Sequence, residues 1–273
     1  MKLNNLLVRS LSGAVFVALI LAPLCLRCPS AFAVVMLAAM LVSMVELYRI
    51  AQQLSAQPQR TAGLAGGVLL FAACYAHSFG LLGQPYDQAL LYLMAPMSAF
   101  IFFAELFRKK SAPFTNIAYT ILGVVYVALP FSLMSVVYAA AGASVMCCFF
   151  LLLWANDTFA YLFGMTFGKR RLFPSISPKK SWEGCVGGFL SVLALAYGLH
   201  RLLDVALVHL LCLGVIISAT AVLSDLVESM LKRSANLKDS GAIMPGHGGL
   251  LDRFDAALLS LPVVWAYVHV FML

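Results

Sequence analysis

Apolar runs about twenty residues long recur from one end of this chain to the other, with only short polar breaks between them. A helix crossing the hydrocarbon core of a bilayer needs roughly 20 such residues. The repetition points to an all-α fold, a polytopic membrane helical bundle. Nine spans are expected, at about 8–26, 30–50, 61–82, 88–107, 115–138, 141–166, 184–201, 205–231 and 254–272. Composition agrees, because 63% of the residues are hydrophobic and 11% charged, against about half and about a quarter in an ordinary soluble domain. So few charges cannot coat a water-facing surface. The N-terminal stretch has the look of a signal peptide, but the many similar spans behind it favour an uncleaved first span. Only LRCPS separates the first two spans, which suggests a tight hairpin. No soluble domain, repeat array or low-complexity linker is visible. Residues 1–273 therefore read as one polytopic domain, with N-terminal spans in 1–140 and a second half, 141–273, that carries the two long polar segments, 167–183 and 232–253.

Basic residues orient the bundle, since cytoplasmic loops are rich in Lys and Arg. With the N-terminus inside, the inner segments hold Lys2, Arg9, Arg49, Arg60, Arg108, Lys109, Lys110, Lys169, Arg170, Arg171, Lys179, Lys180, Lys232, Arg233, Lys238 and Arg253. The outer segments hold Arg27 and Arg201, so the split is sixteen to two of the eighteen basic residues. Both long polar segments then face the cytoplasm. The net charge of +7 meets anionic headgroups at the inner leaflet. It is spread over several loops and forms no basic domain, so nucleic acid is not an expected partner.

The acidic residues gather in the second half. Ionisable groups inside a span cost several kcal/mol, on the order of 3 even on lenient scales, and persist where they meet a polar cavity, a counter-charge or a metal. Asp157 in LLLWANDTFAYLFG is such a group, as are Asp225 and Glu228 in SDLVESMLKR. Asp225, Glu228, Ser229 and Lys232 recur at i, i+3, i+4 and i+7, which is one stripe of a helix. Asp252 and Asp255 repeat the three-residue spacing at the expected start of the last span. Carboxylate clusters without Cys or His pairing suit a hard cation such as Mg²⁺. An internal salt-bridge network is the plainer alternative, although burying charge for stability alone rarely gains anything.

A phosphate-binding reading comes from the neighbours of these acids. Gly246, Gly248 and Gly249 surround His247 in PGHGG. Glycines let backbone N–H groups turn toward an anion near a helix start. The motif is weak alone, and a lone loop histidine is more often structural. In FGKRRLFPSISPKKSWEG, Ser181 is suited to cap a helix and Glu183 to sit in its first turn. Lys179 and Lys180 are either plain inner-face residues or anion contacts.

The stretch from Ser229 to Asp255 closely resembles the signature of the phosphatidate cytidylyltransferases, also called CDP-diacylglycerol synthases. The resemblance rests on Ser229, Lys232, Arg233, Lys238, Asp239, Gly241, Pro245, His247, Gly248, Gly249, Asp252, Arg253 and Asp255. Two further stretches are similar to family motifs: Asp157, Thr158, Ala160, Tyr161, Phe167, Gly168 and Lys169, and the run from Ser177 to Gly184. Met244 and Ser181 are conservative departures. The match covers roughly 154–255; the first half matches in general spacing and in carrying Glu46 near the end of the second span.

The resemblance implies that CTP and phosphatidic acid give CDP-diacylglycerol and pyrophosphate, with Mg²⁺ required, at the cytoplasmic face of a bacterial inner membrane. On this reading 141–273 is the catalytic half. Asp225 and Asp252 are the leading metal ligands, with Glu228, Asp255 and Asp157 as further ones. Lys232, Arg233, Lys238 and Arg253 hold triphosphate or lipid phosphate, helped by Lys179, Lys180, Ser181, Ser229 and Asp239. Gly248 and Gly249 offer backbone N–H groups, and His247 orients a phosphate or a carboxylate. A second, monovalent cation and a homodimer are left open. The rival readings are a CTP-dependent lipid kinase and an ion-coupled transporter; no inverted repeat supports the latter. The seven cysteines, including Cys25, Cys28, Cys147 and Cys148, read as apolar packing. Tyr86 and Tyr92 are candidate interface anchors.

Overall fold

Prolines and one glycine decide where the apolar runs break. The computed structural model describes residues 2–83, 86–241, 243 and 248–273, and their side chains except at 2–9, 86, 87 and 89. Helix α1 (Lys2–Cys25) leads through Arg27, at φ 50°, into α2 (Pro29–Gln53). Pro29 takes the first helical position, where no N–H is needed, so the tight hairpin expected at LRCPS forms. Helix α3 (Arg60–Phe79) follows. The expected span 88–107 is divided into α4 (Tyr86–Tyr92) and α5 (Met94–Arg108). Pro96 supplies the reason: it has no N–H for the carbonyl of Tyr92, and its ring presses against that carbonyl.

The next helical stretch, Pro113–Phe167, is 55 residues long. At 1.5 Å per residue that is about 80 Å, far more than the ~30 Å hydrocarbon core. Its first part is α6 (Pro113–Leu122) and a π-helical turn (Gly123–Ala128) that precedes Pro130 at the start of α7 (Leu129–Phe167). A proline that cannot bond the preceding turn favours such a widened turn. Helix α7 breaks at Gly142, with φ 84° and ψ 170°. A side chain there would be strained, which is why this position in a run of small residues is glycine. The expected boundary between the spans 115–138 and 141–166 falls at this break.

The segment 167–183, expected as a polar loop, is instead a short hairpin. Strands β1 (Arg171–Phe173) and β2 (Ser177–Ser181) pair antiparallel, with Arg171 opposite Ser181. Helices α8 (Trp182–Leu203), α9 (Leu207–Ser234) and α10 (Leu251–Phe271) complete the chain. Against the nine spans expected, seven helical stretches among the described residues are long and apolar enough to cross a membrane, and Ser10–Cys25 is a shorter apolar one. The protein is a multi-pass membrane bundle.

Helix α7 is the hub, touching α1, α2, α3, α8, α9 and α10. Its Phe131, Phe149 and Phe150 pack with Met40 and Met44 of α2 and Phe254 and Leu258 of α10, all fully buried. Helix α7 approaches α8 closely at Gly184, where a Cβ would stand 2.6 Å from the Ala160 carbonyl; small residues at such crossings are how membrane helices come together. Outward faces stay apolar, with Phe103, Leu106 and Phe107 of α5 exposed. Tyr92 is also exposed, as an interface anchor would be; the side chain of Tyr86 lies outside the described residues.

Polar contacts gather at one end of the bundle. There the end of α2 meets the start of α10, and the end of α9 meets the same turn. Gln59, before α3, donates to Glu105 of α5 at 2.7 Å, and its backbone N–H to Thr120 of α6 at 2.8 Å. These are the ends that carry most of the basic residues.

Candidate active site

Ser181 starts the site. Its hydroxyl accepts the Gly184 N–H at 3.2 Å and caps α8, as expected. Glu183, in the first turn, accepts the N–H groups of Lys169 and Arg170, each at 3.1 Å. The base of the hairpin is thereby tied to the helix it precedes. The hairpin in turn holds Lys179, Lys180 and Arg171 over the ends of α7 and α9, and the Arg171 guanidinium donates to the Lys179 carbonyl at 3.3 Å.

Below the hairpin is a cavity of about 540 Å³. Four carboxylates reach its wall: Asp157 from α7, Asp225 from α9, and Asp252 and Asp255 from α10. Four cations do so as well: Arg171, Lys179, Lys180 and Arg253. Ser181 completes the group of expected residues at this wall. Asp157 lies about ten residues inside the end of α7, or about 15 Å along the helix. A charge at that depth has to face a polar space, and this cavity is that space.

The ion pairs are specific. The Lys180 ammonium stands 2.5 Å from Asp225 and donates to the Val222 carbonyl at 3.3 Å. Ser229 donates to the other oxygen of Asp225 at 3.3 Å, the i,i+4 partner that the stripe implied. Lys232 lies between Glu228, one turn away on α9, and Asp252, at 2.7 Å. Lys232 was expected at a phosphate; here its ammonium is paired with two carboxylates of the protein, the arrangement that the plainer salt-bridge alternative describes.

Asp252 is an organiser as well. Its carboxylate accepts Lys232, the Ser240 N–H at 2.9 Å and the Gly249 N–H at 2.8 Å. The Ser240 N–H also reaches its other oxygen, at 3.2 Å, so both oxygens of Asp252 are engaged within the protein. The Gly249 N–H, expected at a phosphate, points to Asp252. Gly248, at φ 84°, would place a Cβ 2.8 Å from the same carboxylate. Arg233, Lys238 and Asp239 are exposed, outside the cavity wall, and Arg233 bonds the Leu237 carbonyl at 2.9 Å. His247 lies outside the described residues.

The donor set suits a hard divalent ion. Asp255 lies within electrostatic reach of Asp225, Glu228 and Asp157, and oxygen donors of one sign crowded together favour such a cation. Among the described residues, no three His, Cys, Asp or Glu side chains are yet close enough to grip one ion. The fit is therefore in donor chemistry, with Asp225, Asp252, Asp255 and Asp157 as the available ligands.

Sequence reasoning missed two wall residues, Asn156 and Arg171, and one behind the wall, Ser224. Asn156 is buried beside Asp157, and neither atom of its amide has a hydrogen-bond partner among the described residues. Arg171 was counted only as an inner-face charge; its pairing opposite Ser181 brings it to the cavity. Ser224, fully buried, donates to the Asp255 carbonyl and accepts the Leu259 N–H at 3.1 Å, pinning α9 to α10. The dipeptide Asn-Asp on an apolar run was the one available signal for Asn156.

Fold and site together define a class: an integral membrane protein of many spans with a charge-dense cavity at one end of its bundle. The sequence profile of the cytidylyltransferase family matches residues 7–271, and the chain belongs to that family. A phosphatidate cytidylyltransferase of Staphylococcus saprophyticus is 38% identical over 180 residues, which is 65% of this chain and 68% of that protein. Those of Haemophilus influenzae and Bacillus subtilis are each 43% identical, over 130 and 123 residues. These two alignments cover 45% and 46% of the relatives' own lengths.

Proposed function

We propose that this protein is a phosphatidate cytidylyltransferase, joining CTP to phosphatidic acid to give CDP-diacylglycerol and pyrophosphate. The observation that carries the reading is the cavity where Asp157, Asp225, Asp252 and Asp255 face Arg171, Lys179, Lys180 and Arg253 at one end of a membrane bundle. The family and the names of the relatives support the two substrates. Both are polyanions, one soluble and one a lipid, and a cavity opening at the bundle's end can admit each from its own phase.

The lipid phosphate is already an anionic nucleophile. One of its oxygens forms a bond to the α-phosphorus of CTP. The bond from that phosphorus to the bridging oxygen breaks, and its electron pair leaves with pyrophosphate. Repulsion and positioning set the barrier. Arg171, Lys179, Lys180 and Arg253 hold phosphoryl oxygens, and Ser181 fixes the turn below them. Lys232 keeps Glu228 and Asp252 in place. Arg233 and Lys238, outside the cavity wall, steer phosphate, and His247 orients a phosphate or a carboxylate. Asp225 and Asp252 would hold Mg²⁺, with Asp157, Asp255 and Glu228 near; the ion, when bound, supplies Lewis-acid neutralisation of phosphate oxygens. A monovalent cation is a further candidate for the same acids.

We place the site at the cytoplasmic side of the bacterial inner membrane, because sixteen of eighteen basic residues fall on segments assigned to that face. The test uses purified protein in detergent with phosphatidic acid and CTP labelled at the α- or the γ-phosphate. The α-label should enter the lipid and EDTA should stop it. Entry of the γ-label instead identifies a lipid kinase. Entry of neither label, with ion flux in liposomes, identifies a transporter. Turnover unchanged by EDTA removes the metal assignment.

A further inference from the structure

Ser240, Gly249, Leu250 and Leu251, described residues of the signature, are held by two carboxylates, and one of these comes from the other half of the chain. Glu46, near the end of α2, is fully buried. Its Oε2 accepts the Leu251 N–H at 2.8 Å and the Ser240 hydroxyl at 3.1 Å. Its Oε1 accepts the Leu250 N–H at 3.1 Å. All three donors lie about two hundred positions downstream, in the segment that leads into α10. On the far side, Asp252 accepts the N–H groups of Ser240 and Gly249.

The segment closes onto Glu46 at two glycines. A Cβ on Gly241 would stand 2.3 Å from Glu46 Oε1, and one on Gly249 2.6 Å from Glu46 Oε2. The contact is therefore matched in shape as well as in hydrogen bonding. It also uses the N–H groups of Leu250 and Leu251, which at a helix start have no partner within the helix. A buried carboxylate that satisfies such donors fixes the position at which α10 begins. That position sets where Asp252, one residue beyond Leu251, meets Lys232 and the cavity.

We infer that Glu46 is a positioning residue for catalysis: it clamps Ser240, Leu250 and Leu251 and so places Asp252 at the cavity wall with Lys232 behind it. Glu46 touches no residue that we place on substrate, except through this segment. An N-terminal span thereby becomes part of the working site. The inference deepens the proposed cytidylyl transfer and rests on it.

Glu46→Gln tests the clamp. The amide keeps the size but presents an NH₂ group to at least one of three converging donors, so one contact turns from attractive to repulsive. Backbone hydrogen exchange, turnover per folded protein and the thermal midpoint are measured in detergent. Exchange at 248–252 should quicken at least tenfold, with the remainder of α2 and α10 unchanged. Turnover with saturating CTP should fall ten- to a hundredfold, with less than a threefold change in the KM for CTP. Gly241→Ala, which leaves Glu46 in place but crowds it, should reproduce both effects, and it serves if Glu46→Gln does not fold.

Unchanged exchange at 248–252 in both variants overturns the clamp. Faster exchange with turnover within twofold of the parent overturns the catalytic role. A lowered thermal midpoint alone, with turnover per folded protein retained, marks Glu46 as structural only and also overturns it. If the parent protein transfers nothing from CTP to lipid, the functional reading fails, and the exchange measurement still decides whether Glu46 holds the segment.

Discussion

Lys232 and Asp225 make the residue-scale argument, because each is charged, set within a helix, and differently engaged. Asp225 is paired with a hairpin lysine and faces the cavity; Lys232 lies behind the wall between two acids. On the proposed metal assignment, losing the carboxylate at Asp225 or Asp252 would remove an anchor for a divalent ion. Asp225→Asn and Asp252→Asn should each lower kcat/KM at least about 100-fold, roughly 3 kcal/mol, measured by lipid labelling on folded protein. Lys232→Met should act on stability first. It leaves two buried carboxylates without their counter-ion, a change worth about 3–5 kcal/mol. A fall in thermal midpoint in detergent checks this, and Glu228→Gln in the same chain should recover part of the loss. No recovery would show that Glu228 is not the acid that Lys232 neutralises.

At the scale of elements, the β1–β2 hairpin and the break in α7 matter most. Glu183 ties the hairpin to α8 through two backbone N–H groups. Glu183→Ala should free the hairpin and blur the positions of Arg171, Lys179 and Lys180. The expected result is a KM for CTP raised about tenfold, or 1.4 kcal/mol, with kcat within about twofold. Steady-state kinetics at varied CTP decide it; a drop in kcat alone would contradict this role for the hairpin. Gly142 carries a different load. Gly142→Ala places a Cβ on backbone at φ 84°, a cost of about 1–3 kcal/mol. The thermal midpoint should fall while the KM for CTP is unchanged, since Gly142 lies far along α7 from the cavity wall.

The whole molecule is an assembly of antiparallel helices whose polar ends meet on one side. Its orientation can be read with single cysteines placed in a chain lacking the seven native ones. Cysteines at 110 and 179 should react with a membrane-impermeant maleimide only in inverted vesicles, and one at 201 only in intact cells stripped of outer membrane. The opposite pattern would turn the bundle over and separate the cavity from cytoplasmic CTP. The clamp at Glu46 belongs to this scale too, because it makes the first half of the chain a structural partner of the second.

Local chemistry explains how much of this was legible beforehand. Apolar runs near twenty residues long specify spanning helices by themselves, since a bilayer sets the required length. The three-and-four spacing of Asp225, Glu228, Ser229 and Lys232 specifies one helical face, and Ser181 specifies a cap. What could not be read is anything that depends on which distant groups meet. The pairing of Lys232 with Asp252 is one such case, because Asp252 comes from another helix. Arg171 looked like one more inner-face charge until a hairpin turned it toward the cavity. Glu46 showed in the sequence only as an acidic residue near the end of a span; its donors are found by packing and lie about two hundred residues away.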